Sequence, residues 1–97
     1  MRPLTADLTR EELRPYFCWD EDVSIAELRA ALRGPDPEER LRVLGRLLRE
    51  ARDTDVWSFV GPQEVADALP LLGRHLGRRR AFWEYLIGRW RAQGLVR

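Results

Sequence analysis

Lysine and asparagine are missing from this 97-residue chain, and cysteine, histidine and methionine occur once each. Cys18, without a second thiol, can form no internal disulfide and no Cys/His ligand pair. With His75 as the only imidazole, a histidine-ligated metal centre has too few ligands. There is no glycine-rich phosphate loop, no nucleophile elbow and no EF-hand spacing around the acidic run Asp20-Glu21-Asp22. No apolar run approaches the roughly 18 residues of a membrane span, and Met1-Arg2-Pro3-Leu4 is not the start of a secretory signal. The expectations are a cytoplasmic, reduced setting, no membrane contact, no cofactor, no metal and no enzymatic activity. All 17 basic residues are arginine, a side chain that holds bidentate pairs better than lysine; a G+C-rich coding bias would give the same composition.

What is present is apolar content of 44%, rich in leucine and poor in β-branched residues, alongside 34% charged residues. A chain of this length builds one core, so residues 1–97 are expected to form a single domain. Leucine favours helix over sheet, and the expected fold is all-α, a compact bundle of four to six short helices. The formal net charge is only +1, but residues 1–60 hold ten arginines and thirteen acids, whereas residues 61–97 hold seven and three. Such a split suits partner docking and also occurs as ordinary surface variation.

Capping patterns place the elements. Thr9 followed by Glu12 has capping-box spacing and predicts a short helix ending near Pro15. The run Tyr16-Phe17-Cys18-Trp19-Asp20 is expected to be extended, because three adjacent large side chains cannot share a helical face. Ser24 with Glu27 repeats the box and opens a helix over about residues 25–33, with Gly34 as its left-handed C-cap. Asp36, Pro37, Glu38 and Glu39 form the clearest helix start; from it Leu41, Leu44, Leu47, Leu48 and Ala51 recur at helical period while Arg42, Arg46, Arg49 and Glu50 point away. That helix should end near Arg52. A loop is expected at Asp53-Thr54-Asp55 and a short strand or extended connector over 56–60.

Gly61-Pro62 starts a fourth helix that Pro70 breaks or kinks, and a short helical piece carrying Leu71, Leu72 and Leu76 ends at Gly77. The amphipathic C-terminal helix runs from about Arg78 to Gln93. It carries Phe82, Trp83, Leu86, Ile87 and Trp90 on a stripe about 140° wide at about 100° per residue. Gly94 fits the position after its C-cap, and Leu95-Val96 are expected to fold back.

Cys18 between Phe17 and Trp19 reads as a small buried apolar residue, and His75, set among arginines, as a surface residue. Arg74, Arg78, Arg79 and Arg80 form the sharpest basic cluster, able to meet nucleic-acid phosphates or simply to snorkel around a buried face. Four tryptophans are many for so small a domain; any left exposed are candidate anchors for another protein.

Three segments carry a resemblance: Tyr16-Phe17-Cys18-Trp19-Asp20; Leu48-Arg49-Glu50-Ala51 through Asp55-Val56-Trp57-Ser58-Phe59; and Arg80-Ala81-Phe82-Trp83 with Trp90 and Gly94-Leu95. Over residues 16–96 the chain is similar to a group of small uncharacterised bacterial proteins. Members of that group are often encoded beside nucleotidyltransferase-like toxins of the abortive-infection AbiEii type. The resemblance implies an antitoxin or accessory partner of such a toxin, and it supplies no catalytic residue. It does not extend to the winged-helix antitoxin of that system.

Three functional expectations follow. The first is a non-catalytic protein-interaction domain in which Tyr16, Phe17, Trp19 and Trp57 dock and Asp20 or Asp55 pairs with a basic site on the partner. The second is a small DNA-binding transcriptional regulator acting through Arg74, Arg78, Arg79 and Arg80. The third is a homo-oligomer joined through the Trp83/Trp90 stripe.

Overall fold

The computed structural model describes residues 1–97. Five helices account for most of the chain: α1 (Ile25–Leu32), α2 (Pro37–Glu50), α3 (Asp53–Val56), α4 (Pro62–Leu72) and α5 (Arg80–Ala92). Two strands of two residues each, β1 (Leu4–Thr5) and β2 (Arg14–Pro15), pair in parallel. The helical expectation holds, with this small sheet added.

Residues 9–15 do not form the helix that the Thr9/Glu12 spacing predicts. Asp7 captures that cap instead: its carboxylate accepts from both the amide and the hydroxyl of Thr9, at 3.1 and 2.6 Å. Downstream, the amides of Ile25 and Ala26 donate to the carbonyls of Leu13 and Glu11. The first turn of α1 thereby finds acceptors for two of its orphan amides in the segment that precedes it. Ser24 and Glu27 complete the start of α1 with the reciprocal capping box.

Helix α2 is the central element. Asp36 accepts from the Glu38 amide and Pro37 occupies the first turn, the start expected from sequence. Its buried arc, Val43, Leu44, Gly45, Leu47 and Leu48, is wider than the leucine stripe alone. Ile25, Leu28 and Leu32 of α1, Val65 and Leu72 of α4, and Trp83 and Ile87 of α5 complete one core of twenty buried residues. At about 1.5–3 kcal/mol for each large apolar side chain removed from water, this burial is the main favourable term. Trp83 is fully buried, and its indole N–H donates to the Leu48 carbonyl at 2.8 Å, so its one polar atom is satisfied. At Gly45, α2 approaches the turn after α4 so closely that an added Cβ would lie 2.8 Å from the Cβ of His75. His75 is accordingly half-buried and packed, rather than a free surface side chain.

Residues 53–60 differ from the expected loop and extended connector. Asp53–Val56 is a single helical turn, and Val56, Phe59 and Val60 are all buried. Their i, i+3, i+4 spacing is helical, and the Val60 amide donates to the Val56 carbonyl at 3.2 Å. Gly34 is likewise not left-handed: α1 closes through Arg33, whose amide returns to the carbonyls of Ala30 and Ala31.

Helix α4 continues two residues beyond Pro70, although that residue has no N–H to offer the carbonyl one turn back. It then tightens into 3₁₀ turns at Gly73–His75 and Gly77–Arg79, separated by Leu76. Gly77 has φ of +54°, which marks the stop expected there and delays the start of α5 to Arg80. At the other end of α5, Gly94 has φ of +78°. The Leu95 and Gly94 amides donate to the Trp90 and Arg91 carbonyls at 2.9 and 3.1 Å, the paired bonds of a Schellman ending. Val96 returns to the core, while Leu95 stays exposed.

Candidate functional site

The aromatic run at 16–20 is turned rather than extended. The Cys18 amide donates to the Pro15 carbonyl and the Glu21 amide to the Cys18 carbonyl, so successive side chains leave in different directions. This resolves the crowding that the extended expectation was meant to avoid. Phe17 and Cys18 point into the core at 2% and 0% exposure, whereas Trp19 stands out at 62%.

Two arginines from outside the turn hold its backbone. Arg14, itself buried, donates from Nη1 to the carbonyls of Cys18 and Trp19 at 3.2 and 2.8 Å and from Nε to the Arg2 carbonyl at 3.0 Å. Arg46 of α2 donates to the Phe17 carbonyl at 3.0 Å, pairs with Asp20, and lies 6.0 Å from the Trp19 ring centre. The bond from Arg46 is also the leading cause that holds the Asp20 carboxyl below the usual carboxylate range. Trp19 is thus an exposed indole on a backbone with little freedom left.

The other sequence-predicted docking residues have different places. Phe17 is core and packs edge-on against Tyr16 and Phe59. The Tyr16 hydroxyl donates to Asp55 at 2.5 Å and accepts from the Arg52 amide at 2.8 Å, closing the start of α3. Burial, and next the bond to Asp55, push the Tyr16 phenol up. Asp55 is therefore already engaged within the chain. Trp57 is half-buried against Trp83 and Trp90, with ring centres 5.8 and 5.4 Å away. The structure joins Tyr16 to Asp55 and Trp19 to Asp20, and it sends Trp57 to a separate aromatic cluster.

In the acidic run, Asp20, Glu21 and Asp22 each face a different arginine, namely Arg46, Arg42 and Arg2. No three of the chain's His, Cys, Asp and Glu side chains come together in a way that could hold a metal ion. Burial pushes the Cys18 thiol up to about 11, so it remains protonated at neutral pH.

The basic cluster is divided as well. Arg79 pairs with Asp53 and lies over Phe82, with 4.3 Å to the ring centre. Arg80 pairs with Glu84 one turn along α5 at 2.7 Å. Arg74 and Arg78 are exposed and form no ion pair, and Arg74 shares a concavity with Asp36, Glu38 and Glu39.

Sequence reasoning missed Arg14 and placed Arg46 and Arg49 on an outward face. Both α2 residues instead bend back to backbone carbonyls, Phe17 for Arg46 and His75 for Arg49. Nothing in helical periodicity distinguishes a solvated arginine from one that reaches across a turn. No protein-family model, no curated protein and no solved structure matches this chain.

Proposed function

We propose that the chain is a non-catalytic protein-interaction domain that presents Trp19 as its anchor. The observation that carries this reading is the pairing of exposure with rigidity: a 62% exposed indole on a turn whose carbonyls are held by Arg14 and Arg46. Interfaces draw most of their affinity from a few large aromatic or arginine anchors, and an anchor ordered beforehand loses less entropy on docking.

The partner most consistent with the resemblance over residues 16–96 is a nucleotidyltransferase-type toxin, which the domain would block sterically as an antitoxin or accessory subunit. Co-expression of the two chains with affinity pull-down tests the pairing directly. The expected result is a stable complex and relief of toxicity, both lost in Trp19→Ala while the thermal midpoint is unchanged. A complex that survives Trp19→Ala unchanged refutes the anchor. Absence of any complex with the toxin refutes the partner.

The regulator reading has in its favour that Arg74 and Arg78 carry no carboxylate partner. Against it, Arg79 and Arg80 are neutralised by Asp53 and Glu84.

A further inference from the structure

Between the C-terminal turn of α2 and the 3₁₀ turn at Gly77–Arg79 lies a concavity of about 630 Å³, lined by Arg49, Glu50, Gly77, Arg78 and Arg79 and by no hydrophobic residue. Its wall carries three guanidinium groups and one carboxylate. We infer that this concavity binds a compact phosphorylated anion, with pyrophosphate-like groups as the chemical class of ligand.

Two of the three arginines are held in position by the protein. Arg49 donates from Nη1 to the His75 carbonyl at 2.7 Å and from Nε to Glu50 at 3.0 Å, leaving Nη2 free. Arg79 is fixed by Asp53 and by the face of Phe82. Each is charge-compensated by its carboxylate, so these two bring their remaining N–H donors to phosphate oxygens and not a free charge. Arg78 has no partner in the protein, so its charge is available without breaking an existing bond.

The backbone adds to this. Leu76 is right-handed, at φ −95° and ψ −17°, and Gly77 is left-handed at φ +54°. Successive residues of that kind leave neighbouring amides able to converge on one anion.

The lining also limits the ligand. Without an aromatic or aliphatic wall there is nothing for a base or acyl group to pack against, so recognition rests on the phosphates. The concave form suits a compact anion better than an extended duplex backbone. This site is independent of the Trp19 turn and does not rest on the protein-partner reading.

The test is titration of the full chain with sodium pyrophosphate, followed by amide NMR and calorimetry, with sodium sulfate and a short DNA duplex as separate arms. The expected result is saturable binding of pyrophosphate, with shifts centred on the Gly77 and Arg78 amides and weaker binding of sulfate. Arg78→Ala should weaken binding about tenfold or more, the loss of one charge-assisted contact. Glu50→Gln, which removes the opposing charge from the wall, should tighten it by about threefold. Arg89→Ala, outside the concavity, should leave it unchanged.

No saturable binding overturns the inference, as does a response equal for pyrophosphate and sulfate. Equal weakening by Arg78→Ala and Arg89→Ala would reduce the effect to general electrostatics and overturn it too. Binding of the duplex through Arg78 without binding of pyrophosphate would overturn the compact-anion assignment in favour of a nucleic-acid backbone.

Discussion

Gly45 and Gly88 both lie inside helices, α2 and α5, and replacing each with alanine should move stability in opposite directions. Intrinsic propensity favours alanine over glycine by about 0.8–1 kcal/mol at either site. At Gly88 a new Cβ meets nothing within 4 Å, so the propensity gain should appear nearly whole. At Gly45 the new Cβ would come within 2.8 Å of the His75 Cβ, which is not the movable end of a side chain. Overpacking of this kind costs about 1–3 kcal/mol, which offsets the gain and leaves Gly45→Ala destabilised by up to about 2 kcal/mol. For a domain of this size 1 kcal/mol moves the thermal midpoint by about 4–8 °C, so the two variants, separated by the overpacking cost, should melt at least about 4 °C apart. Because the clash is with Cβ, His75→Ala should not relieve it in the double variant, whereas His75→Gly should. The measurement is thermal unfolding by circular dichroism, with urea midpoints for the free energies. Gly45→Ala melting at or above the parent temperature would refute the close approach of α2 to the turn after α4, and with it the packing described for His75.

Tyr16→Phe removes one bond to a carboxylate and one from a backbone amide and should cost about 1.5–2.5 kcal/mol, the lower part of the range because both partners can reach water. A Tyr16→Phe, Asp55→Ala cycle with no coupling would contradict the geometry. Bonds from Arg46, Arg33 and Ser24 respectively are the leading causes that hold the Asp20, Glu64 and Glu27 carboxyls below their ordinary values of 3.8, 4.5 and 4.5. Lowered values mean a contribution present above the unfolded-state pKa and lost as pH falls through the folded one. Urea midpoints should therefore decline below about pH 4.5, with a shallower decline in Asp20→Asn and Glu64→Gln. The Tyr16 phenol, raised from 10.0, contributes with the opposite sense: its share is present below 10.0 and lost as pH rises beyond it, a loss absent from Tyr16→Phe. Cys18, fully buried with its thiol near 11, should resist a thiol-specific disulfide reagent at pH 8 in the native protein and react at once in urea; rapid native reaction would contradict its burial. Arg14→Lys should destabilise by about 2–3 kcal/mol, because an ammonium cannot span the Arg2 carbonyl and the Cys18/Trp19 pair together; a change within about 0.5 kcal/mol would show that the bridge carries little.

Helix starts and stops that carry a strong local signal were legible in the sequence. Ser24/Glu27 and Asp36-Pro37 start α1 and α2, and Gly77 and Gly94 take the left-handed conformation at the stops. The failures came from signals that a neighbouring group overrode or that fitted two periodicities equally well. Thr9 has the chemistry of a cap, but Asp7 binds it and α1 takes the neighbouring carbonyls. Val56, Phe59 and Val60 carry helical spacing, yet the intervening Trp57 made five residues resemble alternation. Of the aromatic residues expected to dock, only Trp19 is largely exposed, Phe17 and Trp57 turn inward, and Asp20, like Asp55, is paired within the chain. Residue type marks those aromatics as large and interactive, and only the turn decides which of them faces water.

The absence of lysine has a structural consequence whatever its origin. Arg33 donates to the Phe59 carbonyl and pairs with Glu64, Arg46 joins the Phe17 carbonyl to Asp20, and Arg49 joins the His75 carbonyl to Glu50. In each case one guanidinium holds a backbone oxygen from a turn and a carboxylate together, across 26 or more residues on the carbonyl side. Turns of a small domain leave carbonyls that helices cannot satisfy, and only a side chain with several donors fixed in one plane can serve such a carbonyl without releasing its counter-charge. The exposed ion pairs taken alone contribute little. Their value here is that each orients a guanidinium toward a turn carbonyl, and in the case of Arg46 that carbonyl belongs to the turn presenting Trp19. The rigidity of the proposed anchor and the arginine-only composition are therefore two aspects of one arrangement, and substitution of lysine at Arg46 should loosen the turn more than removal of Asp20 does.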